Sequence, residues 1–513
     1  MNALLKELLQ MPEARALLDS TLRRDKPMVT GVSPVHRAML AAAMLQETGR
    51  PMLLLCGDET EAARLCGDLH ALTGRDVTLL RRRDWQLRPS AAASRSWEHQ
   101  RLAALYAMAS GQAPLMVAAI DAAVQRCVPK DVLLETVIAL KVGESYPIEP
   151  LTARLTAAGY VRCQQVEGPG QFALRGGILD VFSPAMEQPV RCEFWDDELD
   201  AMGVFDVTTQ RRVHNLEETL LLPAGEVLPF RGADTAEKAA AALEAAGKKL
   251  KKKEHTEPLL RQLETDANAL RQGITPNGCD RYLAAVYPEK TTALDYLPED
   301  AILCVCEGGR VSEGLKGWLW QLKEDVAAAA ENGFMAPAMG ELSLTEGETA
   351  AQLARFALCQ MDSLPTSRYL LPPGELLQIS ARQLSTYGGS LETAASDMEH
   401  YLAAGYRVVV LCGGQVRAGN MQELLRGRNI TAALSLDGGT LPQPGQAAIL
   451  LGAVSAGSEW PSLKLAVLTE GQLTESVSGK QKKPRRVKDS NRQKLQSYTD
   501  LTPGDLVVHA HHG

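Results

Sequence analysis

Residues 168–184 read GPGQFALRGGILDVFSP, and after a short connection residues 189–206 read PVRCEFWDDELDAMGVFD. Apolar and polar side chains alternate along both runs, the mark of strands with one covered face, and Gly-Gly, Ser-Pro and Asp-Asp punctuate them as turns. With RRVHNLEETLLLP following at 211–223, the spacing predicts an antiparallel, strand-rich module. Allowing for a kink at Gly176-Gly177, alternation puts Phe172, Leu174 and Ile178 on different faces from Arg175 and Asp180. In PVRCEFWDDE, Arg191, Glu193 and Trp195 share a face while Cys192 and Phe194 point the other way. An Arg and a Trp on one solvent face suit a protein-interaction spot, since both types are enriched in binding hot spots. Pairing of Arg191 with Glu193 or a neighbouring acid, with Trp195 partly covered by a loop, fits the same pattern equally well.

This module interrupts a chain of another kind. Upstream, apolar strands are expected at 51–56, 76–80 and 114–120, alternating with helices at 59–72 and 96–109, which is the grammar of a parallel α/β sheet. CQQV at 163–166 is expected as a strand and LTARLTAAGY before it as a helix. Downstream, helices return at 235–275 and 311–330 around a buried strand at 301–306. A further α/β block has strands at 407–411, 447–451 and 464–468, a helix at 418–427 and a Gly/Pro loop at 437–446. The expected fold is therefore α/β and multidomain: a parallel-sheet domain with an inserted strand-rich α+β domain, then a second, smaller α/β domain.

Composition narrows the function classes. The 513 residues are 45% hydrophobic and 23% charged with net charge −8, an ordinary globular make-up. Residues 480–494 (KQKKPRRVKDSNRQK) carry eight Lys or Arg against one Asp, so the remaining chain sums to −15. An acidic body with one basic linker is a poor clamp for duplex DNA. The amphipathic opening, MNALLKELLQMPEARALLD, is unlike a secretion signal, and no long apolar run predicts a membrane span. Ten cysteines without a C-x-x-C pair read as reduced core residues of a cytoplasmic protein.

The search for chemistry finds no catalytic set. A phosphate-binding loop needs G-x-x-x-x-G-K-[ST], and neither Gly-Lys pair, at 247–248 and 479–480, has its other parts. In VTGVSPVHRAMLAAAM, Gly31 is followed by His36, Arg37 and Ala38 in the slots for Gly, Lys and Ser/Thr. This reads as a nucleotide loop that has lost its binding parts, or equally as an ordinary helix start with Ser33 as N-cap and Pro34 as first helical residue. Asp121 and Glu307 each follow a buried strand and read as cap and turn residues. His509, His511 and His512 lack Cys or acidic partners, so no metal site is expected.

The runs at 168–184 and 189–211, with LLPAGEVL at 221–228, resemble the domain shared by the excinuclease subunit UvrB and the bacterial transcription-repair coupling factors. The basic linker followed by YTDLTPGDLVVHAHHG resembles the coupling factors' entry into their RNA polymerase-interacting domain, and so does the degenerate GVSPVHRA loop, where UvrB keeps a working one. The resemblance implies a degenerate RecA/UvrB-like sheet domain in two parts (1–127 and 216–345) around a UvrA-binding insert (128–215). It further implies a small α/β domain without known role (346–472), a linker (473–496) and the truncated start of the polymerase-interacting domain (497–513). It implies UvrA as partner, met by Arg175, Arg191 and Trp195, the family more often having Phe at the last. RNA polymerase, through its β subunit, and double-stranded DNA are implied as partners of the full-length family, whose motor uses ATP and Mg. That motor is expected to be absent from this chain, which is then no enzyme and needs no cofactor; the rival reading is an ATP-dependent DNA translocase.

Overall fold

The computed structural model describes residues 1–473 apart from 86, 88–94, 233, 251–255, 367, 388–389 and 436–437. The basic run at 480–494, the expected strand LVVH and the three terminal histidines lie outside the described residues.

Seven parallel strands form the first sheet, in the order Glu375–Gln378, Pro27–Thr30, Ala357–Met361, Ile302–Cys306, Met52–Cys56, Leu115–Ala119 and Thr78–Leu80. Its central strands are apolar on both faces because helices cover both. Leu53, Leu55, Leu303 and Val305 turn to one core, shared with helices Ser96–Ala109, Thr235–Lys249, Glu257–Arg271 and Gly308–Glu331. Leu54, Cys56, Cys304 and Cys306 turn to the other, shared with helices Asn2–Leu8, Pro12–Leu22, Pro34–Thr48 and Glu59–Thr73. All ten cysteines are free thiols. Among the described residues no helix is long and apolar enough to cross a membrane.

The strand-rich unit leaves and rejoins this body through one neck, where Ile138–Lys141 pairs antiparallel with Glu218–Leu221. Beyond the neck lies a six-stranded sheet in the order Arg212–Asn215, Glu198–Phe205, Val190–Trp195, Ile178–Phe182, Gln171–Arg175 and Val161–Arg162. All its pairings are antiparallel except the last. Helix Ile148–Ala157 covers its inner face through Leu151 and Leu155, against Phe172, Leu179, Val181 and Cys192. The expected strand CQQV does not form; only Val161–Arg162 pairs, because the Gln171 side chain accepts the N–H groups of Glu167 and Gly168 and bends the chain. The neck carries the unit past 215, its returning strand Glu218–Leu221 ending at Leu221.

The last unit has four parallel strands, Leu465–Thr469, Arg407–Cys412, Ala447–Leu451 and Ala432–Ser435. Gly457–Trp460 and Arg382–Leu384 extend its edge antiparallel. Residues 346–379 were expected within the small α/β domain, but the strands Ala357–Met361 and Glu375–Gln378 formed there belong to the first sheet, and the second sheet begins at Arg382.

An ionic cluster buried in the first core ties the insert's return to that body. The Arg83 guanidinium lies 3.0 Å from Glu98, 2.5 Å from Asp280 and 3.6 Å from Glu226, and Arg101 lies 3.3 Å from Glu226. Burial pushes the Glu226 carboxyl up, and Arg83 and Arg101 oppose that shift. Removing Glu226 strands the buried Arg101 without a carboxylate while Arg83 keeps Glu98 and Asp280, and leaving one buried charge uncompensated costs about 3–5 kcal/mol. Glu226→Ala is therefore expected to lower the thermal unfolding midpoint markedly; unfolding indistinguishable from wild type would show the cluster to be dispensable.

Candidate functional site

Two places in the sequence were singled out, and the structure gives each a different geometry. At the first, strand Pro27–Thr30 ends in Gly31, whose φ of +85° and approach to the Ile379 carbonyl leave no room for a Cβ. Ser33 is the N-cap of helix Pro34–Thr48, with Pro34 at its first position, and His36 Nδ1 accepts the Ser33 N–H at 3.1 Å. The His36 ring meets Trp460 of the second sheet edge-on at 4.8 Å. Burial pushes its pKa down to about 4. Ala38 is packed in the core.

Arg37 turns inward, its side chain 1% exposed. It donates to Glu61 at 2.7 Å, to Ser363 Oγ at 3.0 Å and to the Val32 carbonyl at 3.2 Å, and it also pairs with Glu307. Glu307 stands at the N-cap of helix Gly308–Glu331 with φ of +57°. The sequence reading of Glu307 as a cap or turn residue agrees with that position; its pairing with a residue 270 positions away carried no local signal. One guanidinium thus faces two carboxylates at the C-terminal edge of the parallel sheet. Asp121, the other acid noted there, pairs with Arg82 at 3.2 Å.

The second place is the outer face of the six-stranded sheet. Register sets Asp180 opposite both Ala173 and Arg191, and Ile178 opposite both Arg175 and Glu193. Arg175, Ile178, Asp180, Arg191, Glu193 and Trp195 therefore share this face. Ile178 was expected on the other one. The correction follows from the two-residue hairpin at Gly176-Gly177, with Gly176 at φ +61°, which sets Arg175 and Ile178 directly opposite each other on one side.

Asp180, 1% exposed, organises the charges. Arg191 meets it with Nε and Nη2, at 2.7 and 2.9 Å, and Arg175 donates Nη2 to Oδ2 at 2.9 Å. Arg191 also lies over the Phe205 ring at 4.4 Å and donates to Gln210, leaving its side chain only 19% exposed. The neighbouring acid it pairs with is Asp180; Glu193 is taken by Arg212. Trp195, by contrast, is 81% exposed and no loop covers it, and Arg175 keeps half its side chain in solvent. Chemically the face offers a cation anchored from below, the partly exposed Ile178 opposite it and an indole on the strand beyond. Asp180 went unassigned in the sequence because alternation shows which residues share a face, not which of them meet.

Comparison with known proteins matches residues 138–226 to the family model described as UvrB interaction domain. Along 489 residues, 95% of the chain, it is 30% identical to the transcription-repair-coupling factor of Bacillus subtilis. It is 28% identical over 515 residues to that of Staphylococcus aureus strain MRSA252, covering 97% of the chain. The resemblance read from 168–228 is thereby shown, and it extends through both α/β units. The chain spans 41% and 42% of the length of these two relatives.

Two outcomes follow from the first place. Arg37→Ala leaves Glu61 and Glu307 facing each other in the interior, and is expected to cost about 3–5 kcal/mol of stability, read from thermal unfolding. His36 is held neutral, with its folded pKa near 4 below the unfolded value of 6.5. The unfolded chain therefore binds more protons between those values, so this contribution is complete above pH 6.5 and lost as pH falls toward 4, on the order of 3 kcal/mol. His36→Gln should flatten that part of the pH–stability curve; an unchanged slope would exclude His36 as its source.

Proposed function

We propose that this chain acts as the front part of a transcription-repair coupling factor, an adaptor that recruits UvrA for excision repair of lesions that stall RNA polymerase. The observation that carries the reading is the outer face of the strand-rich unit, lying within the stretch that matches the UvrB interaction domain. There an uncovered Trp195 shares the face with a half-exposed Arg175 two strands away, while Arg191 is held beneath by Asp180. Large exposed aromatics and arginines are the side chains that dominate binding energy when a partner buries them.

In this reading the first sheet is a scaffold. Arg37, paired with Glu61 and Glu307, fills the place where a nucleotide loop would present its lysine to phosphate, and the surrounding carboxylates disfavour an anion. Translocation on double-stranded DNA driven by ATP and Mg, and binding to the RNA polymerase β subunit, are proposed for the longer proteins rather than for residues 1–473. The working compartment is the cytoplasm, where UvrA and the transcribing polymerase meet.

Titration calorimetry of the chain against purified UvrA tests the reading. Binding at micromolar affinity or tighter is expected, and Trp195→Ala and Arg175→Ala should each weaken it about 30-fold or more, as loss of a hot-spot side chain does. Absence of binding by the well-folded wild type would overturn it. Arg191→Ala is the less discriminating variant, since it also leaves the buried Asp180 short of its main partner.

A further inference from the structure

The polar centre of the outer face is assembled around a group that solvent does not reach. Asp180 is buried in the middle of strand Ile178–Phe182, yet both of its oxygens are engaged by arginines of the two flanking strands. Arg191 closes on it with two parallel donors, is covered by the Phe205 ring and is tied further to the carbonyl and side chain of Gln210. That arrangement fixes the carboxylate in one orientation. Arg175 then reaches the remaining lone pairs of Oδ2 through Nη2 alone, which leaves Nε and Nη1 uncommitted to Asp180 on a side chain half in solvent. A long arginine free in solvent loses rotamer freedom when a partner immobilises it, which weakens binding; one already held by a buried carboxylate has lost that freedom on folding.

We propose that Asp180 is a positioning residue of the UvrA-facing surface: it holds the Arg175 guanidinium over the outer face, pre-oriented toward an acidic group of the partner. Arg191 serves this arrangement mainly from below, fixing Asp180, and meets the partner only through its remaining exposed edge. The partner patch that fits is a carboxylate beside an apolar recess, the carboxylate for the open edge of Arg175 and the recess for Trp195 with Ile178 at its rim. The inference rests on the UvrA reading and specifies how that face works.

The test is a double-mutant cycle measured by titration calorimetry against UvrA, using Asp180→Asn in the wild-type and Arg175→Ala backgrounds, with thermal unfolding recorded for every variant. Asp180→Asn keeps the shape of the side chain and removes its charge. It is expected to weaken binding about tenfold in the wild-type background and by less than twofold once Arg175 is Ala, because the carboxylate acts through that arginine. Equal losses in both backgrounds would overturn the proposal in favour of a general support of the sheet, and so would undiminished binding by Asp180→Asn. Should Asp180→Asn fail to fold, hydrogen exchange at the Arg175 Nη groups of the wild type gives the second reading: protection comparable to Arg191 is expected, and solvent-like exchange would refute the anchoring. Failure of the wild type itself to bind UvrA would remove the underlying reading, a result distinct from any of these.

Discussion

The strand pairing of Met52–Cys56 with Ile302–Cys306 organises everything else in the chain. Leu54 lies opposite Cys304, so the centre of the main sheet is completed only after some 250 intervening residues have been accommodated. Bringing such distant segments together costs loop-closure entropy, though the cost grows only slowly with length. Two features confine what lies between. Helices on both faces occupy much of the intervening length, and the strand-rich unit is gathered off through a single antiparallel neck, so that it does not obstruct the sheet.

Charge is used inside this body in two ways. Around Arg83, Arg101, Glu98, Glu226 and Asp280, buried ions from segments far apart in the chain fasten the insert's return to the helices beside it. Around Arg37, the loop between strand Pro27–Thr30 and helix Pro34–Thr48 is fixed by ion pairs with Glu61 and Glu307, and His36 packs against Trp460 of the last unit. Buried ion pairs of this sort do not add greatly to stability compared with apolar packing, but they tolerate no loss of a member.

Much of this was legible from local pattern. The helix at 96–109, the buried strands at 51–56 and 301–306 and the shared face of Arg191, Glu193 and Trp195 follow from periodicity, which is a property of neighbours along the chain. What escaped was set by partners in space. Pro27–Thr30 and Ala357–Met361 are short and carry weak patterns, and their membership of the first sheet depends on each other's register. Ile178 was misplaced because simple alternation does not survive a two-residue hairpin. Asp180 looked like one more polar residue of a strand until its two arginines converged on it from either side.

The neck at Ile138–Lys141 and Glu218–Leu221 has a consequence for how such a protein can be assembled over evolutionary time. Paired antiparallel strands enter and leave within about 5 Å of each other, the gap that any surface turn already spans. A unit with that attachment and its own core is portable: it can be carried from one host scaffold to another without disturbing the recipient's sheet. The strand-rich unit and the scaffold beneath it are then free to have separate histories.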